Sequence, residues 1–227
     1  MFPMKPIFSP RPMLRPRLGL LALALGGAAL RGGCSLIPAP KPDPTRYFVL
    51  AGPEAAAAAD RSPDVPVVVL AALEVPGYLR TTRNLVVRAA GNEVTFVDGA
   101  RWGEPLEAGL ARVLRETLVG EGRVGRVVQP PLAAAVPGVR PIEVRVQILA
   151  CEGRVRPEGG WVASFSARYE IVHPGTAGGS GVAALPGVFV ASERPWNGRD
   201  HGELARLLSE AAADFGRELG GRLAAAP

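Results

Sequence analysis

The stretch Val69–Leu118 reads VLAALEVPGYLRTTRNLVVRAAGNEVTFVDGARWGEPLEAGLARVLRETL, and it holds the turns and the helix that decide the fold. An apolar run ends at a Pro-Gly turn at 76–77, and two further apolar runs flank a Gly-Asn pair at 91–92, which predicts a hairpin. Pro105 suits the first turn of a helix, where its missing N–H would have had no partner. Behind it, these residues recur at helical spacing: Leu106, Leu110, Val113, Leu114 and Thr117.

The C-terminal half predicts two long strands and a second helix. Apolar and polar residues alternate over 142–150 and 161–171, which is typical of half-buried strands that pair antiparallel. Asp200 and Glu203 have the spacing of a capping box, and an apolar stripe follows them: Leu204, Leu207, Leu208, Ala211, Phe215 and Leu219. A short strand is expected at 188–191 after a mobile linker from His173 to Gly187. We therefore expect one α+β domain, a mostly antiparallel sheet with two main amphipathic helices packed on one face.

The first 33 residues have the composition of an export signal. Basic residues precede an apolar run of thirteen residues, Leu18 to Leu30, and small residues precede Cys34. Thirteen residues are too few to cross a hydrocarbon core, which needs about 20. We predict a signal peptide at 1–33, a lipidated Cys34 within a proline-rich tether at 34–44, and a domain at 45–227. Arg31 departs from the usual lipobox, so ordinary cleavage nearby and an uncleaved anchor stay open as alternatives.

The positive charge of the chain belongs to this N-terminal segment. Residues 1–33 hold five basic residues and no acidic one, and without them the 26 basic residues of the chain fall to 21, equal to its 21 acidic residues. Nucleic-acid binding depends on a clustered basic field, which a net-neutral domain does not provide. The composition therefore argues against a nucleic-acid partner.

The sequence lacks the residue groupings that catalysis or metal binding requires. Its two histidines, His173 and His201, stand apart, and no cysteine or histidine pair has metal-ligand spacing. The Gly-Ser-Gly at 179–181 has no strand before it and is not a nucleophile elbow. We predict no catalytic residue, no cofactor and no metal ion. Cys151 is interpreted as an unreactive residue at a strand end, and a bridge to Cys34 is the alternative if lipidation fails.

Two motifs of the opening stretch, in this order and behind an export signal, carry a family resemblance. They are Val75-Pro76-Gly77-Tyr78-Leu79 and Arg101-Trp102-Gly103-Glu104-Pro105-Leu106. From about Cys34 to its C-terminus the chain resembles the ABC-type transport auxiliary lipoproteins, which include PqiC-like proteins. It departs from them at Gly77, where an acidic residue is usual, and at Thr81-Thr82, where Asp-Arg is frequent.

The resemblance implies a docking function without catalysis. It implies a lipid-anchored, periplasm-facing component of an envelope lipid-transport system, with an ABC transporter and its MCE-domain protein as partners. Ser35 after Cys34 resembles the outer-membrane-directed lipoproteins, with inner-membrane retention as the alternative. Self-association is left open. Two other classes remain: an envelope structural or assembly lipoprotein unrelated to transport, and an exported hydrolase with a degenerate site.

Four residues of the two motifs are predicted to contact a partner: Tyr78, Leu79, Arg101 and Trp102. An aromatic residue beside an arginine is the composition that dominates interface energetics. The alternative interpretation is that both aromatics are core residues at the junctions between elements. In that case their replacement lowers stability and binding together.

Overall fold

The structure is a computed structural model that describes residues 41–53, 66–89, 91–122, 124–129, 141–173 and 183–225. The chain from Pro44 onward forms one compact unit. The predicted signal peptide, Cys34 and most of the tether lie outside the described residues. The domain boundaries at 33 and 44 therefore remain predictions.

The described residues form nine strands and three helices. The strands are β1 (Arg46–Phe48), β2 (Val67–Glu74), β3 (Asn84–Arg88), β4 (Val94–Trp102), β5 (Arg126–Val128), β6 (Ile142–Val155), β7 (Trp161–His173), β8 (Ala183–Val190) and β9 (Arg194–Trp196). The helices are α1 (Gly77–Arg80), α2 (Leu106–Gly120) and α3 (His201–Ala225).

All nine strands belong to one sheet built around the long β6–β7 hairpin. β2 and β3 lie along the other edge of β6, β2 beside its first half and β3 beside its last residues. β4 and then β1 extend the sheet beyond β3, and β5 extends it beyond β2. β8 and β9 pair with the two halves of β7.

The prediction of a single α+β domain is confirmed, and the sheet is mixed. The long β6–β7 and β7–β8 pairings and the predicted β3–β4 hairpin are antiparallel. Four other pairings of described strands are parallel: β1 with β4, β2 with β5, β2 with β6, and β3 with β6. β2 and β3 both run parallel to β6 along the same edge, with the single-turn helix α1 between them in the chain.

Both main helices pack on one face of the sheet, as expected. The ring of Phe215 in α3 lies over the rings of Phe165, Tyr169 and Phe189, with centroid separations of 6.0, 5.9 and 5.3 Å. α2 lies beside α3, where a β-carbon at Gly216 would come within 2.8 Å of Thr117 Cβ. Gly216 therefore permits close packing of the two helices.

The predicted helix faces are confirmed residue by residue. Every member of the two apolar stripes is buried. Asp200 caps α3, since its Oδ1 accepts hydrogen bonds from the backbone N–H groups of Gly202 and Glu203 at 3.0 and 3.2 Å. The Glu203 carboxylate binds Arg206 instead of completing the capping box.

Two local predictions need correction. β8 begins at Ala183, so the last five residues of the expected mobile linker are in a strand, because they pair with β7. A β-carbon at Gly187 of this strand would overlap the ring of Tyr169, so only glycine fits there without movement of the ring. Cys151 lies inside β6 and not at its end. Residues 174–182 lie outside the described part of the chain.

Candidate docking surface

The structure brings the two motifs of the family resemblance together. The backbone N–H of Trp102 donates a hydrogen bond to the carbonyl of Arg83 at 2.5 Å, and Arg101 pairs in register with Asn84. Since α1 directly precedes β3, the first motif and the end of β4 meet at the end of the sheet where β3 begins. β1 also ends there, and its Tyr47 pairs with Arg101.

Tyr78 and Leu79, which follow the predicted Pro-Gly turn, form part of the single helical turn α1. The Leu79 N–H donates to the carbonyl of Pro76 at 3.0 Å, and Thr81 Oγ1 donates to the carbonyl of Gly77 at 2.7 Å. These bonds pair polar groups of the turn within the turn itself. The segment is too short for helical periodicity to be visible in the sequence. Arg101 and Trp102, expected at the junction before a helix, are the last residues of β4, and α2 begins four residues later.

The four predicted contact residues divide into two buried and two accessible ones. Leu79 and Trp102 are each 3% exposed and belong to the core. Tyr78 is half-buried and Arg101 is exposed. Contact with a partner remains a prediction for all four residues. Leu79 and Trp102 support this region from the core, whereas Tyr78 and Arg101 are accessible at its surface.

Tyr78 rests on a buried ion pair between neighbouring strands. Arg88 Nε of β3 lies 2.5 Å from Glu152 Oε1 of β6, and the Glu152 side chain is 2% exposed. The Arg88 guanidinium also stacks on the Tyr78 ring, 5.2 Å from its centroid. Arg88 therefore joins α1, β3 and β6, and holds the first motif against the sheet.

The polar atoms of this cluster are unevenly satisfied. Glu152 Oε2 and the Tyr78 hydroxyl are buried, and neither has a hydrogen bond of acceptable geometry within the described residues. Burial, together with the neighbouring Glu152 carboxylate, raises the pKa of Tyr78 to about 12. The hydroxyl therefore stays protonated at neutral pH.

Sequence reasoning missed Glu152, although the sequence carries a signal. The register of β6 against β7 shifts between Ile148 and Ala150, so Cys151 and not Ala150 continues the core-facing row. The bulge places Glu152 beside Arg88 on the opposite face. The break in apolar alternation at Cys151-Glu152 was the visible sign of it.

The accessible part of this end of the sheet combines two rings with three arginines. Tyr47 is 61% exposed and Phe96 is 38% exposed. Arg80, Arg83 and Arg101 are exposed as well. We call these five residues the arginine surface.

A groove of about 590 Å³ lies elsewhere, between α3 and residues 48–53. Its three arginines are already paired: Arg194 and Arg217 with Asp214, and Arg206 with Glu210. The groove therefore offers no unpaired arginine to a ligand, which makes it a weaker candidate than the arginine surface.

The described residues show no grouping of side chains that would hold a metal ion. Within the same ranges, no helix is both long and apolar enough to cross a membrane. Burial raises the pKa of the Cys151 thiol, which keeps it protonated and poorly nucleophilic.

Comparison with known proteins decides the family. The model of the ABC-type transport auxiliary lipoprotein component matches residues 48–220. The chain belongs to this family. No curated protein matches the chain in sequence. The family is that of auxiliary lipoprotein components of ABC-type transport.

Solved structures share the fold of this family member at low sequence identity. A protein of Xanthomonas campestris from the family DUF330 has a TM-score of 0.58 and 14% identity, covering 78% of this chain and 94% of its own. An uncharacterized protein has a TM-score of 0.57 and 14% identity, covering 79% of this chain and 98% of its own. At this identity the likeness establishes the fold alone.

Proposed function

We propose that the chain is a non-catalytic, lipid-anchored docking component of an ABC/MCE-type system that moves phospholipids across the envelope. The observation that carries the proposal is the family match over residues 48–220, which covers nearly the whole folded unit. The proposed partners are the MCE-domain protein and the transporter that carries it. The proposed location is the periplasmic face of the outer membrane, as Ser35 suggests.

The proposed mechanism is recognition by a rigid surface. α1 and the ends of β1 and β4 meet at one end of the sheet, where Trp102 and Leu79 fix them to the core. A surface held by core residues loses little conformational entropy on binding, so contact energy is retained as affinity. An envelope assembly lipoprotein without a transport partner remains the alternative, and the next experiment separates the two.

The Tyr78→Ala variant should lose the MCE-domain partner while the domain stays folded. Tyr78 lies half-buried on the surface, whereas Trp102 is in the core. Trp102→Ala should therefore lower the free energy of unfolding by about 3–5 kcal/mol and serves as the core control. Co-purification of the MCE-domain protein from membranes and the melting temperature are measured for both variants. If wild type retains no such partner, or folded Tyr78→Ala retains it fully, the docking assignment is wrong.

The mature protein should begin at Cys34 and carry acyl chains. Each buried CH₂ group contributes about 0.8 kcal/mol, so two or more chains anchor a protein stably in a bilayer. Intact-mass analysis of membrane-extracted protein measures the modification, and separation of inner and outer membranes measures the location. Cys34→Ser should release the protein, and Ser35→Ala is the matched control that keeps the anchor. A mature wild type without lipid would contradict the prediction.

A further inference from the structure

The residues of the arginine surface lie side by side across three strands. Register pairs join Tyr47 to Arg101 and Arg101 to Asn84. Phe96 pairs with Val86, which is two residues beyond Asn84 on β3. The register shifts between these two pairs, so that five residues of β4 lie against two of β3, and this irregularity keeps Phe96 close to Arg101 along the sheet.

The remaining two arginines border this row. Arg80 is the last residue of α1, and Arg83 immediately precedes β3. The carbonyl of Arg83 accepts the Trp102 hydrogen bond, which places its backbone next to the end of β4. Three guanidinium groups therefore belong to one end of the sheet.

These three arginines have no carboxylate partner among the described residues. Eight other arginines each pair with an acidic side chain: Arg88, Arg112, Arg145, Arg156, Arg194, Arg206, Arg217 and Arg222. Asp98 lies three residues before Arg101 in β4 and forms no ion pair with it in the described part of the chain. The positive charge of the arginine surface is therefore available to a partner.

The exposed rings make this charge suitable for a stable contact. Tyr47 and Phe96 present apolar area that gains free energy when water is removed from it. Arginine and aromatic residues are also enriched in interfaces and at their energetic centres. An arginine side chain in water is stable without a carboxylate partner. Exposed aromatic rings beside such arginines nevertheless favour binding of another molecule, because binding removes the rings from water.

We propose that the arginine surface binds a segment of the MCE-domain protein that carries aspartate or glutamate side chains around an apolar residue. This inference rests on the proposed function and adds the chemistry of the partner. Carboxylates match the planar guanidinium group with two parallel hydrogen bonds, and opposite charges speed association. The apolar residue of the segment covers Tyr47 and Phe96.

Lipid phosphates would offer the same negative charge, but the exposed rings favour a protein segment. An apolar side chain of the segment covers Tyr47 and Phe96 while its carboxylates pair with the arginines, whereas a phosphate group supplies the negative charge alone.

The test measures the Kd of the purified, lipid-bearing chain for the purified MCE-domain protein over a series of salt concentrations. Arg83→Glu/Arg101→Glu should weaken binding about tenfold or more and flatten the salt dependence. Tyr47→Ser should weaken binding and leave the salt dependence unchanged. Arg168→Glu is the matched control, because Arg168 of β7 is exposed and has no ion pair among the described residues. Its Kd should stay at the wild-type value.

The outcomes separate this inference from the function on which it rests. A wild-type chain that does not bind the MCE-domain protein overturns both. Wild-type affinity and salt dependence in folded Arg83→Glu/Arg101→Glu, checked by melting temperature, overturn the acidic-partner inference alone. Loss of binding to phosphatidylglycerol vesicles in that variant, with protein binding intact, assigns the surface to the membrane and also overturns the inference.

Discussion

Replacing Arg88 with alanine should lower the free energy of unfolding by about 3–5 kcal/mol, because it leaves the buried Glu152 carboxylate without its cation. The Glu152 side chain is 2% exposed, and Arg88 Nε lies 2.5 Å from its Oε1. The variant also removes the guanidinium that stacks on Tyr78, so α1 loses a contact as well. Urea denaturation measures the change.

An exposed ion pair on the same sheet provides the control. Arg145 contacts Glu143 and Glu170 with half of its side chain in water, so Arg145→Ala should change stability by no more than about 1 kcal/mol. Arg88→Met with Glu152→Leu should cost less than Arg88→Ala, since it removes both charges. If Arg88→Ala proves no more costly than Arg145→Ala, water reaches Glu152 in solution and the pair does not hold α1.

The second large effect is expected at Phe215. This residue is 0% exposed and contacts Phe165, Tyr169 and Phe189, so its ring joins α3 to both β7 and β8. Phe215→Ala should cost about 3–5 kcal/mol through lost burial and the cavity left behind. A cooperative thermal or urea melt measures the loss.

A substitution on the open face of the sheet is the control for Phe215→Ala. Val188 of β8 is 62% exposed, so Val188→Ala should change stability by no more than about 0.5 kcal/mol. Equal melting curves for Phe215→Ala and wild type would mean that α3 does not pack on this sheet face through Phe215.

Periodicity in the sequence was sufficient for the elements that are long and half-buried. The stripes of α2 and α3 and the alternation of β6 and β7 each repeat over several turns or residue pairs, and all four elements are where they were expected. α1 has four residues and β9 has three, which is too short for any period to show. The parallel pairings depend on which distant strands meet, and no local pattern encodes that.

The candidate surface was only half visible before the structure. The two motifs named Tyr78, Leu79, Arg101 and Trp102, but the sequence could not reveal that Leu79 and Trp102 are buried. Tyr47 lies beside Arg101 because β1 pairs with β4, and these two strands are far apart in the sequence. Whether an arginine has a carboxylate neighbour is likewise a property of the tertiary fold.

The position of β6 in the sheet has a consequence for the order of folding. Two groups of strands pair with the same edge of β6. One group is β2 and β5, and the other is β3, β4 and β1. Among the described strands, only β6 joins the two groups by hydrogen bonds. The strands of both groups precede β6 in the sequence, and β6 ends at Val155. A chain that is made from the N-terminus onward therefore cannot complete the sheet until Val155 has been added. Such late closure of long-range contacts slows folding.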